Sequence, residues 1–116
     1  MKSMLEMVKE FNDVMGNEPD ITLWGKLIEE EYEEWLTEYY KDKDWDPEKE
    51  LKELCDLVYV ILGHAYMMKY DIEEAFKRVH QSNMSKLGPD GLPVRNENGK
   101  VLKGPNYIPA DLHGLA

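Results

Sequence analysis

Apolar residues recur at three- and four-residue spacing through four stretches of this 116-residue chain, and polar breaks between them mark where helices start and stop. Met4, Val8, Phe11 and Met15 form the first stripe; Ser3-x-x-Glu6 opens it as a capping box and Gly16 closes it. After a loop containing Pro19, Asp20 or Thr22 caps a second helix running to about Tyr40, with Leu23, Leu27, Ile28 and Trp35 on its apolar side. Lys41 to Trp45 is a polar connector. Asp46 followed by Pro47 then gives an N-cap and a first-turn proline for a third helix reaching about Lys69. Asp71-x-x-Glu74 opens a fourth helix, with Ile72, Phe76 and Val79 expected to face inward and Asn83 on the same stripe.

Past Leu87 the periodicity stops. Gly88, Pro89, Gly91 and Pro93 break helix, Leu92–Arg95 and Lys100–Lys103 could pair as a small β-hairpin, and Pro105 and Pro109 favour an extended arm. The expected architecture is all-α: a four-helix bundle core over residues 1–87, with residues 88–116 as a hairpin and arm of the same domain.

Two of the stripes carry acids where apolar residues belong. At about 100° per residue, Glu31 and Glu34 fall within roughly 40° of Leu27 and Glu30 lies at the edge of that arc, while Glu29 and Glu33 point away. In the third helix Asp56 interrupts Leu54 to Leu62, a run otherwise apolar on every side, and Glu53 lies one turn earlier on the same face. Two carboxylates ~4 Å apart repel by about 4 kcal/mol at an effective dielectric of ~20, so acids facing a core need a partner. A solvated face explains most glutamate runs, but it does not explain Asp56. Hard Mg²⁺, or Mn²⁺, suits an all-oxygen shell and makes the convergence tolerable.

Glu30-Glu31-x-x-Glu34, 18 intervening residues, then Glu53-x-x-Asp56 resembles the motif of the MazG-like, all-α nucleoside triphosphate pyrophosphohydrolases, relatives of dimeric dUTPases and of phosphoribosyl-ATP pyrophosphohydrolase. The likeness extends over most of the chain: residues 3–16 with Phe11-Asn12 look like the family's first helix, and Asp71 to Lys86 like its fourth. It implies release of a nucleoside monophosphate and pyrophosphate by water attack at the α-phosphorus of a (d)NTP, with phosphoribosyl-ATP or dUTP/dCTP as the alternative substrates. In that scheme Glu31, Glu34, Glu53 and Asp56 hold one or two Mg²⁺, and Glu30 orients or deprotonates the water. Asn83 and Lys86 match the family's Asn-x-x-Lys pattern and are candidates for gripping phosphate, although Asn83 reads equally well as a helix-end polar group. Phe11, Asn12 and Trp24 are candidates for contacting the base; for Phe11 and Trp24 a place in the core is the competing reading.

Charge narrows the partners. Fourteen basic against 24 acidic residues give a net charge of −10, which argues against nucleic acid or an anionic membrane as a main partner. The lone Cys55 and the mixed charge of Met1 to Phe11 fit a reducing, cytoplasmic setting without a secretory signal. The pocket needs a partner surface to close, which predicts a homodimer or homotetramer. Glu-x-x-His pairs are missing, which counts against a di-iron bundle, and there is no P-loop motif. Two other readings compete. Asp42, Asp44, Asp46, Glu50 and Glu53 have the spacing of a calcium-binding loop, although Pro47 stands where glycine is needed. The second is a non-catalytic helical interaction protein, which has no reason to keep five intact carboxylates.

Overall fold

A computed structural model describes residues 1–116 and is all-helical, with α1 at Met4–Met15, α2 at Ile21–Tyr39, α3 at Pro47–Met67 and α4 at Ile72–Met84. The helix starts are set by side chains that satisfy otherwise orphaned N–H groups. Ser3 Oγ accepts from the Glu6 amide at 3.1 Å, and Glu6 returns the bond to the Ser3 amide at 3.2 Å. Asp20, rather than Thr22, caps α2 by accepting from Thr22 and Leu23. Asp46 accepts from Glu48 with Pro47 in the first turn, and Asp71 accepts from Glu74. At the other end of α1, Gly16 takes φ +66°, a left-handed conformation that glycine adopts without steric cost.

The chain forms two compact units, Met1–Tyr70 and Asp71–Ala116, so the break expected after Leu87 falls inside the second unit. In the first unit α3 packs along α2 and, less extensively, against α1. Its centre is small: Val8, Asn12, Trp24, Gly63 and Ala65 are its buried residues. Trp24 lies on the Cα of Gly63, and Asn12 meets α3 at the same place. Farther along, Trp35 Nε1 donates to Glu50 Oε2 at 3.0 Å and fixes α2 beside the first half of α3. Tyr66 donates its hydroxyl proton to Asp13 at 2.6 Å, tying α3 to α1; that bond holds the Tyr66 phenol above its ordinary pKa.

Much of the apolar surface of α1 and α3 stays open in the single chain. Met4, Met7, Leu51, Leu54, Val58 and Ile61 are all exposed, and so is Cys55. The run on α3 that the sequence marks as apolar all round is therefore covered on one side only.

In the second unit the C-terminal segment is strapped along α4. Ser82 Oγ donates to the Ile108 carbonyl at 2.7 Å, Arg78 to the Asp111 carbonyl at 2.9 Å, and the Asp71 amide to the Leu115 carbonyl at 2.8 Å. The strap covers the Arg78–Ser82–Ser85 face, roughly opposite Phe76. That is why Phe76, expected to face inward, is 72% exposed. The hairpin expected after residue 91 forms as a turn with one antiparallel bridge, Arg95 to Val101, and no regular strands. Gly99 turns it at φ +80°. No helix is long and apolar enough to cross a membrane.

Candidate metal and nucleotide site

Glu31 and Glu34 leave α2 one turn apart, toward α3, where Glu53 meets them. One carboxylate oxygen from each of the three lies within 4.8 Å of the others. Glu31 Oε2 and Glu53 Oε2 are shut off from solvent and have no hydrogen-bond partner. A buried oxygen acceptor without a donor is costly, and here two occur side by side. Burial, reinforced by the charges of Glu34 and Asp56, holds Glu31 above the ordinary glutamate pKa of 4.5. Burial likewise raises Glu53, opposed by the nearby Lys52 ammonium. Unpaired, mutually repelling, oxygen-only ligands in one place are what a hard divalent cation satisfies. The donor set fits a metal of that class.

Asp56, one turn beyond Glu53, stands outside the trio. Its Oδ2 is 2.6 Å from Lys52 Nζ, and the same ammonium is 3.8 Å from Glu53 Oε1. Glu30 is exposed and also outside the trio. Next to Glu53 opens a polar cleft of about 450 Å³, lined by Glu38, Asp46, Glu48, Lys49, Lys52 and Glu53. Its size is in the range of small-molecule sites.

The residues predicted to touch the base separate into two kinds. Asn12 is 1% exposed; its amide donates to the Val8 carbonyl and its oxygen accepts from Asn17, both at 2.9 Å. Trp24 is buried, with Nε1 donating to the Glu18 carbonyl at 3.2 Å. Both are accounted for by packing. Phe11 is different: it is exposed and meets Tyr59 edge to face, with ring centroids 5.5 Å apart. Asn83 is exposed and Lys86 half-buried at the end of α4, in the second unit. His64 is half-buried against Tyr70.

Of the acids with calcium-loop spacing, Glu50 Oε2 accepts from Trp35 and Asp46 Oδ1 from the Glu48 amide, whereas the acids that converge are Glu31, Glu34 and Glu53. Two contributors escape the sequence reading. Lys52 could have been found from its i, i+4 spacing to Asp56. The Trp35–Glu50 clamp links residues 15 apart on different helices and carries no local signal.

The first unit is thus all-helical, with two helices pinching carboxylates together beside a polar cleft. The family model described as phosphoribosyl-ATP pyrophosphohydrolase matches residues 6–83, from the first turn of α1 almost to the end of α4. The chain belongs to that family, a member of the MazG-like NTP pyrophosphohydrolase superfamily. It is a pyrophosphohydrolase, which sets aside the non-catalytic reading. No curated protein matches the chain.

Proposed function

We propose that this chain is a Mg²⁺-dependent nucleoside triphosphate pyrophosphohydrolase that converts (d)NTP to (d)NMP and pyrophosphate, with Mn²⁺ able to replace Mg²⁺. The observation that carries the metal requirement is the pair of solvent-excluded, donorless oxygens on Glu31 and Glu53. Glu31, Glu34, Glu53 and Asp56 would hold the cation. Bound there, it would supply positive charge to the phosphate oxygens and acidify water.

The chain's own residues do the rest. Glu30 is exposed and makes no ion pair, so it is available to orient the attacking water or take its proton. Attack at the α-phosphorus breaks the bond to the bridging oxygen, and pyrophosphate leaves with that oxygen. Asn83 and Lys86 are assigned to the phosphates, and Phe11, with its open face, to the base. Phosphoribosyl-ATP is the second substrate reading, favoured by the family match.

The working form is a homodimer or homotetramer in the cytoplasm. Support comes from the groove of about 380 Å³ between α1 and α3, lined by Met4, Met7, Leu51, Leu54, Val58 and Leu62 among others. Monomers rarely leave contiguous apolar surface of this kind open, and a second copy of the chain would cover it. Sedimentation equilibrium checks this: a monomer at micromolar concentration would contradict it. The net charge of −10 disfavours nucleic acid or an anionic membrane as partner.

The reaction is tested by incubating a panel of NTPs, dNTPs and phosphoribosyl-ATP with Mg²⁺ and assaying pyrophosphate against orthophosphate. Pyrophosphate with a nucleoside monophosphate is expected for at least one nucleoside triphosphate. Orthophosphate as the product would overturn attack at the α-phosphorus, and turnover of phosphoribosyl-ATP alone would select the second reading.

A further inference from the structure

Four carboxylates surround the proposed cation site, yet only three gather. Glu31, Glu34 and Glu53 lie together, whereas Asp56, on the same face of α3 as Glu53, stays outside. Asp56 is also the member of the four with a close ion pair, to Lys52 Nζ at 2.6 Å. Lys52 precedes Asp56 by one helical turn, the spacing at which opposite charges on a helix meet. Its side chain is 68% exposed while that of Asp56 is 33% exposed, so the ammonium reaches the aspartate from the solvent side. Its 3.8 Å distance to Glu53 places it against the trio as well.

We propose that Lys52 is a positioning residue, the counter-ion of the carboxylate site, which holds Asp56 out of the carboxylate trio and must release it when a divalent cation binds. This rests on the metal reading given above and adds a competitor to it. The ammonium and the cation claim the same Asp56 oxygen, so the lysine weakens metal binding and sets the concentration at which the site fills. No other Lys or Arg makes an ion pair with any of these four acids. Lys41 is paired with Glu38 and Arg78 with Glu74.

The test is calorimetric titration of Mn²⁺, without nucleotide, into the full chain and three variants: Lys52→Gln, Asp56→Asn, and the two combined. An exposed ion pair at this spacing corresponds to roughly a two- to fivefold effect. Lys52→Gln is therefore expected to tighten Mn²⁺ binding about two- to fivefold. In the Asp56→Asn background the same change should have a clearly smaller effect, because the contested carboxylate is gone and only the longer contact with Glu53 remains. Unchanged or weaker binding in Lys52→Gln would overturn the proposal. So would tightening of equal size in the Asp56→Asn background, since that would mean the lysine acts only through the general field. Absence of Mn²⁺ binding in all four proteins would sink the metal reading itself, and this proposal with it.

Discussion

The indole of Trp24 lies so close over Gly63 that a methyl group on that glycine would come within 2.7 Å of Cζ3 and 2.9 Å of Cη2. This contact sets how near α2 and α3 approach, and hence whether Glu31 and Glu34 can reach Glu53. A helix-interior glycine normally costs stability relative to alanine, so one that leaves no room for a methyl is there for the approach. Gly63→Ala should destabilise the protein by about 1–2 kcal/mol, overpacking outweighing the gain in helix propensity. Gly25, in α2, has nothing within 4 Å of its missing methyl, and Gly25→Ala should stabilise by about 0.5–1 kcal/mol. Urea denaturation of both variants checks the pair; equal effects of one sign would contradict the close-approach role.

Neutralising single acids of the site should separate activity from folding. Glu34→Gln or Asp56→Asn is expected to lower kcat/KM by at least ~100-fold, a loss at the upper end of that seen for removing residues that merely support a metal ligand. The folded state survives, because Glu34→Gln relieves repulsion in the metal-free protein and Asp56→Asn gives up only one partly exposed ion pair, to Lys52. Circular dichroism and pyrophosphate release read the two outcomes. Retained activity in both variants would refute the site.

Acidity should act on the site in a defined direction. Glu31 and Glu53 keep their protons to higher pH in the folded chain than the ordinary glutamate value of 4.5. The folded state therefore binds more protons, and their contribution to stability, full below about that value, is lost as pH rises through the raised pKa values. Glu31→Gln does not ionise and escapes this loss. In chelator, its melting temperature should approach that of the native sequence at low pH and exceed it by a growing margin toward neutral pH. With saturating Mg²⁺ the order should invert near neutrality, because cation binding needs the ionised carboxylates. Parallel melting curves at every pH, with and without metal, would contradict the raised values and the cation together.

Helix caps were the most legible part of the chain, since Ser3, Asp20, Asp46 and Asp71 act on amides two or three residues away. The acidic pairs were legible too, because helical phase alone puts Glu31 and Glu34 on one side. What periodicity could not supply was tertiary. Periodicity reads Asn12 as a base contact and Trp24 as base contact or core; it carries no sign that both are buried and hydrogen-bonded to the backbone of their own surroundings. Phe76 has the phase of a buried residue, but the strap formed by residues 104–115 took the opposite face of α4. Lys52 carries a local signal in its i, i+4 spacing to Asp56, but only the structure shows the ammonium on that aspartate rather than in solvent.

The most direct measurement is anomalous diffraction from a crystal of the protein grown with Mn²⁺. The expected result is a manganese peak roughly 2.0–2.2 Å from carboxylate oxygens of Glu31, Glu34 and Glu53, on the oxygens that have no other partner. A manganese-soaked crystal with those three side chains unliganded, or with the metal bound only elsewhere on the chain, would contradict the cation site and the hydrolytic mechanism built on it.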